Sequence, residues 1–189
     1  MRKHPPRYDL PKAAPGPLRL VQRFVNTTAH ETGLELLGTP AALRTWLAGV
    51  GLDPGPVGPA ALRRAHDVRG ELHALLERGT AGASLEEAAR RARFTVDVAE
   101  RALVPQAAGI DGALGAIVAV TYEAMRDGSW ERLKTCRNCG WAYWDESRNR
   151  SAAWCSMQLC GNRLKVKRHR ARVRATPRSS PRRRGRGSR

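Results

Sequence analysis

After Glu146 the chain contains no acidic residue. Residues 147–189 hold 15 Lys and Arg, whereas residues 1–146 balance 19 basic against 17 acidic side chains, so nearly all of the net +17 resides in the last quarter. An ordinary solvated helix would place Glu at i,i+4 to relieve such repulsion. A near-neutral body with an acid-free cationic end implies a polyanionic partner, and nucleic acid leads. An anionic membrane fits less well, because this end has no broad Trp/Phe/Leu face to bury. The alternative of a solubilising tail applies mainly beyond residue 176.

Other absences narrow the class further. The longest apolar run, around 113–120, is less than half the roughly 20 residues a membrane-spanning helix needs. MRKHPPRYDLPK has charge but no apolar stretch of the kind a secretory leader requires. The expected location is therefore the cytoplasm, at the nucleoid in a bacterial cell, and four cysteines there suggest metal or redox work rather than disulfides. There is no phosphate-binding G-x-x-x-x-G-K-[ST], no G-x-G-x-x-G after a strand and no H-E-x-x-H. His30-Glu31 stands alone, and His66 and His73 read as a helix-surface pair. No catalytic group is expected, and an enzyme on the helical part is the weakest reading.

The pattern along the chain is mainly α. Residues 1–16, rich in Pro and basic side chains, are expected to be disordered, and 17–130 to form a helical domain. Leu20, Phe24 and Val25 share a face of a first helix that continues through FVNTTAH. Thr39-Pro40 supplies an N-cap and first-turn proline for a helix carrying Leu43, Trp46, Leu47 and Val50. Leu62, Ala65, Arg69, Leu72, Leu75 and Leu76 define a helix over 59–78 that stops at Gly79. Ser84 with Glu87 reads as a capping box. Residues 94–105 alternate as two short strands, and 111–127 are helical, with Leu114, Ile117, Val118, Tyr122 and Met125 inward and Gly128 as the stop.

The cysteines carry the chemistry. Cys136 and Cys139 form C-x2-C, Cys155 and Cys160 form C-x4-C, and 15 residues separate the pairs. Paired thiolates on tight turns deliver the four soft ligands of a tetrahedral zinc. A thioredoxin-like reading of CRNC lacks its βαβ setting and leaves Cys155 and Cys160 unexplained. Four thiolates close the coordination shell, so the predicted ion is one structural Zn2+. It would contribute on the order of 10 kcal/mol to a module with few aliphatic side chains. Between the pairs, WAYWDE reads as a strand, SRNRSAA as a turn and WCS as a return strand, and the second pair opens a basic helix. The result is a treble-clef-like finger over 131–175, followed by a disordered tail over 176–189. Trp130, Trp141, Trp144 and Trp154 read as its small core, with base stacking by Trp144 or Tyr143 as the alternative.

On that helix Leu164, Ala171 and Ala175 form one apolar stripe, and Val166 and Val173 a second. Arg163, Lys165, Lys167, Arg168, Arg170, Arg172 and Arg174 fill the rest, and Arg148 and Arg150 on the turn extend the patch. Neutralising six phosphates would give a log–log salt slope of roughly −5. Arg163 and Asn162 are the candidates for contacts to base edges.

The stretch CRNCGWAYWDESRNRSAAWCSMQLCGNRLKVKRHRAR resembles the CGNR-type zinc finger, through Cys160-Gly161-Asn162-Arg163, SRN at 147–149 and WCSM at 154–157. LRLVQRFVNT, the TP…L…WL segment at 39–47 and the helix bearing Arg69 resemble the ABATE domain that accompanies this finger; together the resemblances span residues 16–172. They imply a stress-related transcription regulator with a mainly helical N-terminal domain, and that domain is expected to sense a small-molecule effector or to form a homodimer. Duplex DNA is the implied partner, and RNA or single strands are the alternative. The chain departs from the family at Arg23, where an acidic residue is usual. Asn26 and Arg69 match family positions and are candidates to line a ligand pocket; the other reading is a helix cap and a buried ion pair.

Overall fold

The computed structural model describes residues 12–29, 33–162 and 166. Helix α1 (Leu18–Val25) buries Leu18, Val21, Phe24 and Val25, with Leu20 at the edge of the face. It ends earlier than its apolar spacing predicts. The Thr27 hydroxyl donates to Phe24 O at 2.7 Å, and the β-branched pair turns the chain into β1 (Thr28–Ala29), antiparallel to β2 (Leu34–Glu35). The packed chain also begins before residue 17: Ala14 is buried, and its N–H donates to Gln22 Oε1 at 2.7 Å.

Helix α2 (Pro40–Gly49) starts as expected, with Thr39 Oγ1 accepting from Ala42 N at 3.1 Å and Pro40 in the first turn. Helix α3 (Pro59–Arg78) forms the centre, burying Ala61, Ala65, Val68, Arg69, Leu72 and Leu75 and stopping at Gly79 with φ +73°. Helix α4 (Ala83–Ala92) differs from the capping-box expectation. Its free N–H groups at Ser84 and Leu85 donate to the Glu71 carboxylate on α3 at 2.9 and 2.8 Å, while Glu87 pairs with Arg90 and Arg91. The N-terminus of one helix is thus capped by the flank of another.

Strands β3 (Phe94–Asp97) and β4 (Ala102–Pro105) form the expected hairpin, with Val96 opposite Leu103. Helix α5 (Gly109–Asp127) follows and stops at Gly128. Leu114 and Ile117 are buried as predicted. Tyr122 and Met125 are not: Thr121 and Ala124 take the inward positions, leaving Tyr122 53% and Met125 40% exposed. A Cβ on Gly115 would approach that of Ala92 to 2.3 Å, so glycine here permits the close packing of α4 against α5. Among the described residues no helix is long and apolar enough to cross a membrane.

A 3-10 turn (Ser129–Arg132) leads into β5 (Leu133–Thr135), which pairs antiparallel with β6 (Ala142–Trp144). This hairpin is a wall shared by two cores. Leu133 and Ala142 join the helical core, against which Trp130 and Trp144 also pack. Tyr143, on the opposite face of β6, and Trp141, just before the strand, pack with Cys136, Cys155 and Cys160. The tryptophans therefore divide between the two cores rather than filling one.

Candidate metal centre

The C-x2-C turn sits at the tip of the β5–β6 hairpin. Cys136 N donates to Trp141 O at 2.9 Å, Gly140 N returns to Cys136 O at 2.9 Å, and Gly140 takes φ +71° to close the turn. Of the second pair, Cys155 precedes a single π-helical turn, Met157–Gly161, and Cys160 lies within it; there Cys160 N and Gly161 N both donate to Ser156 O, at 2.9 and 3.1 Å. That turn aims Cys160 back at the knuckle. Gly161 lies against Met157 and Trp154, where a Cβ would come within 2.7 Å of Met157 Sδ.

The four sulfurs all lie within 4.8 Å of one another. Cys139–Cys155, Cys155–Cys160 and Cys160–Cys139 are separated by 3.8, 3.7 and 3.6 Å. A regular tetrahedron of Zn–S bonds about 2.3 Å long has sulfur–sulfur edges of about 3.8 Å. The cluster therefore has the size, donor type and count for one structural zinc ion. Four protein ligands leave no position for a reacting water.

Three of the thiols perturb one another in opposite directions. Cys139 is pushed up to about 12 by its hydrogen bond to Cys136, and Cys155 is raised well beyond the thiol range, first by the same neighbour. Cys136, the acceptor from Cys139 and Cys155, is held far below that range. A divalent cation resolves the conflict by stabilising all the thiolates at once.

The loop from 145 to 156 departs from the expected strand, turn and return strand. β6 pairs with β5, ahead of the knuckle, and the loop is closed by side chains. Asp145, fully buried, accepts from Lys134 Nζ at 2.7 Å, Ser147 N at 2.9 Å, Ser147 Oγ at 2.6 Å and Ala152 N at 3.0 Å. Burial opposes its ionisation, but the Lys134 ammonium and the Ser147 donors outweigh it and hold its carboxyl well below the usual range. The Tyr143 hydroxyl donates to Ala152 O at 2.6 Å and fastens the far side. Asp145 was not legible as a site residue; its signal is an acid two positions before Ser at the start of a polar turn.

The helical domain grips this hairpin along the free edge of β6. Asn26 Nδ2 and Gln22 Nε2 donate to Ala142 O at 2.9 and 3.1 Å, Ala142 N donates to Asn26 Oδ1 at 2.8 Å, and Trp144 N donates to Lys12 O at 2.9 Å. On the knuckle, Gly140 O lies 2.8 Å from His73 Nε2. Arg69 is buried one layer away, donating to Thr27 Oγ1 at 2.9 Å and, through both terminal nitrogens, to Glu35 at 2.7 and 2.5 Å. Burial raises the pKa of Glu35, but the Arg69 bonds prevail and lower it on balance. The polar atoms of Asn26 and Arg69 are thus engaged internally, in a strand cap and a buried ion pair.

Of the residues expected to meet nucleic acid, Arg148 is exposed, and Asn162 is exposed on the first residue after the π turn. Arg150, also exposed, is ion-paired to Glu131, and its carbonyl accepts from Lys134. Arg163, Lys165, Lys167, Arg168, Arg170, Arg172 and Arg174 lie outside the described residues.

Residues 132–173 match the family model of the CGNR zinc finger. The match spans the metal cluster and the start of the basic sequence, and this part of the chain is a zinc finger with one structural zinc site. No curated protein matches the chain.

Proposed function

We propose that the protein is a DNA-binding transcription regulator whose zinc finger presents a basic helix to duplex DNA. One observation carries the reading: the chain leaves the fourth cysteine in a helical turn, with Asn162 and Val166 helical and exposed, and enters sequence without a single acid. The metal clamps the root of that segment to the hairpin, and phosphates supply the missing negative charge. Duplex is favoured over single strands because Tyr143 is fully buried and Trp144 packs on the helical core, which removes the two aromatics best placed to stack on bases. The closed thiolate shell favours a binding protein over an enzyme. The helical domain is then the part that receives an effector or a second copy.

The test is selection from random duplexes with zinc-loaded full-length protein, followed by competition with single-stranded DNA and structured RNA. An enriched motif that resists both competitors supports the proposal. Equal binding to every sequence, or preference for single strands or RNA, overturns it.

A further inference from the structure

Among the described residues two buried side-chain nitrogens have no hydrogen-bond partner, Arg64 Nε and Trp141 Nε1. Trp141 packs within the metal cluster, whereas Arg64 lines a cleft of about 310 Å³ between α3, α4 and the start of α5. A buried charged donor without an acceptor is costly, and native structures rarely keep one unless a water or a ligand completes it. Val68, Ala88 and Leu114, all buried, supply the apolar lining of the cleft. Its size lies at the lower end of small-molecule sites.

The charges around the cleft do not cancel where they stand. Arg90 Nη2 and Arg91 Nε share one carboxylate, Glu87, at 2.8 and 2.7 Å, which leaves a surplus positive charge on the α4 wall. Arg64 Nη2 pairs with Asp111 at 3.2 Å, and that pair is neutral. Asp67, on the same face of α3 three residues after Arg64, makes no hydrogen bond or ion pair among the described residues and is the surplus negative charge. Three arginines thus face three acids, and the cleft is neutral overall but polarised. A lone anion or a lone cation leaves one surplus charge unmatched, whereas a zwitterion matches both.

We propose that this cleft binds an α-amino acid with an apolar side chain. Its carboxylate accepts from Arg64 Nε on the side of Arg90 and Arg91, its ammonium pairs with Asp67, and its side chain packs on Val68, Ala88 and Leu114. The spacing suits so short a zwitterion. Residues three apart on a helix stand about 5–6 Å apart at Cβ, and the two charged groups of an α-amino acid branch from a single carbon. From the cleft α3 runs on to the zinc knuckle, where His73 Nε2 lies 2.8 Å from Gly140 O, so a molecule held here sits on the helix that touches the finger. The inference rests on the reading of the helical domain as the part that receives an effector, and it gives that effector a site and a chemical class.

Calorimetric titration of zinc-loaded full-length protein, without DNA, tests it with alanine, valine, leucine, methionine and phenylalanine as probes. At least one is expected to bind saturably. The matching amine and the matching carboxylic acid, each lacking one charge, are expected to bind about tenfold weaker or worse. Asp67→Asn removes an exposed, unpaired acid, and Arg64→Lys keeps the charge that Asp111 needs while deleting Nε. Each is expected to weaken binding by on the order of tenfold, with circular dichroism and zinc content unchanged. No saturable binding by any of the probes up to about 10 mM overturns the inference. So does equal binding of amine, acid and amino acid, or binding that either variant leaves intact. A failed titration beside a successful duplex selection strikes the effector site alone, and a saturable ligand beside a failed selection strikes the DNA reading alone.

Discussion

Asn26 and Ala142, 116 positions apart, exchange two hydrogen bonds: the side-chain amide donates to Ala142 O at 2.9 Å and accepts from Ala142 N at 2.8 Å. The amide thereby does for β6 what a neighbouring strand would do, and ties the zinc hairpin to the end of α1. Asn26→Ala strands a buried N–H, so unfolding stability should fall by about 2–3 kcal/mol. Asn26→Asp keeps the acceptor but sets a second carboxyl oxygen against Ala142 O in a buried site, and should cost at least as much. If chemical denaturation gives both variants wild-type midpoints, the tie contributes nothing.

Metal removal should be felt on both sides of the hairpin. The purified protein is expected to hold one zinc per chain by elemental analysis, and Cys155→Ser to lose it. Because Leu133 and Ala142 belong to the helical core, stripping the ion should lower the melting temperature of the whole described chain by at least about 10 °C. A helical transition unmoved by chelation would mean that the two cores fold independently.

Acid should weaken the protein through three carboxylates. Asp145, Glu35 and Glu71 all have folded pKa values lowered from their ordinary values of 3.8, 4.5 and 4.5. A depressed folded pKa contributes stability that is complete above the unfolded value and is lost as pH falls through the folded one. Stability should therefore be flat above about pH 5 and drop steeply below about pH 4. Asp145→Asn, which leaves Lys134 without its partner, should cost about 3 kcal/mol at neutral pH and flatten the acid limb. An unchanged pH profile in that variant would remove Asp145 from the account.

The cross-helix cap gives a contrast between neighbours. Glu71→Ala deprives the first turn of α4 of both backbone acceptors and should cost about 1–2 kcal/mol. Glu87→Ala should cost less, since the partners of Glu87 among the described residues are the exposed Arg90 and Arg91. Thermal denaturation giving the reverse order would restore the local capping box.

On duplex DNA, Arg148 and Arg150 should separate. Arg150 is already neutralised by Glu131, whereas Arg148 makes no ion pair among the described residues. Arg148→Ala should reduce the salt slope by about 0.9. Arg150→Ala should change it little, and Glu131→Ala should steepen it. Equal effects of the two arginine variants in a salt titration would contradict this pairing.

What could be read from the sequence were features decided locally. Two close cysteine pairs announce a tetrahedral thiolate site, Thr39-Pro40 starts a helix, Gly79 and Gly128 end helices, and the missing acids after Glu146 mark a strongly cationic end; each needs only neighbours in the chain. Tertiary contacts decided the rest. Asp145 gathers its loop only because Lys134, on the adjacent strand, stands beside it. Asn26 caps a strand because the fold brings Ala142 to the end of α1. Tyr122 and Met125 fit the apolar period of α5 but lie outside, since the inner face closes on Thr121, Ala124 and Gly115, and periodicity cannot say which side of a helix its neighbours cover.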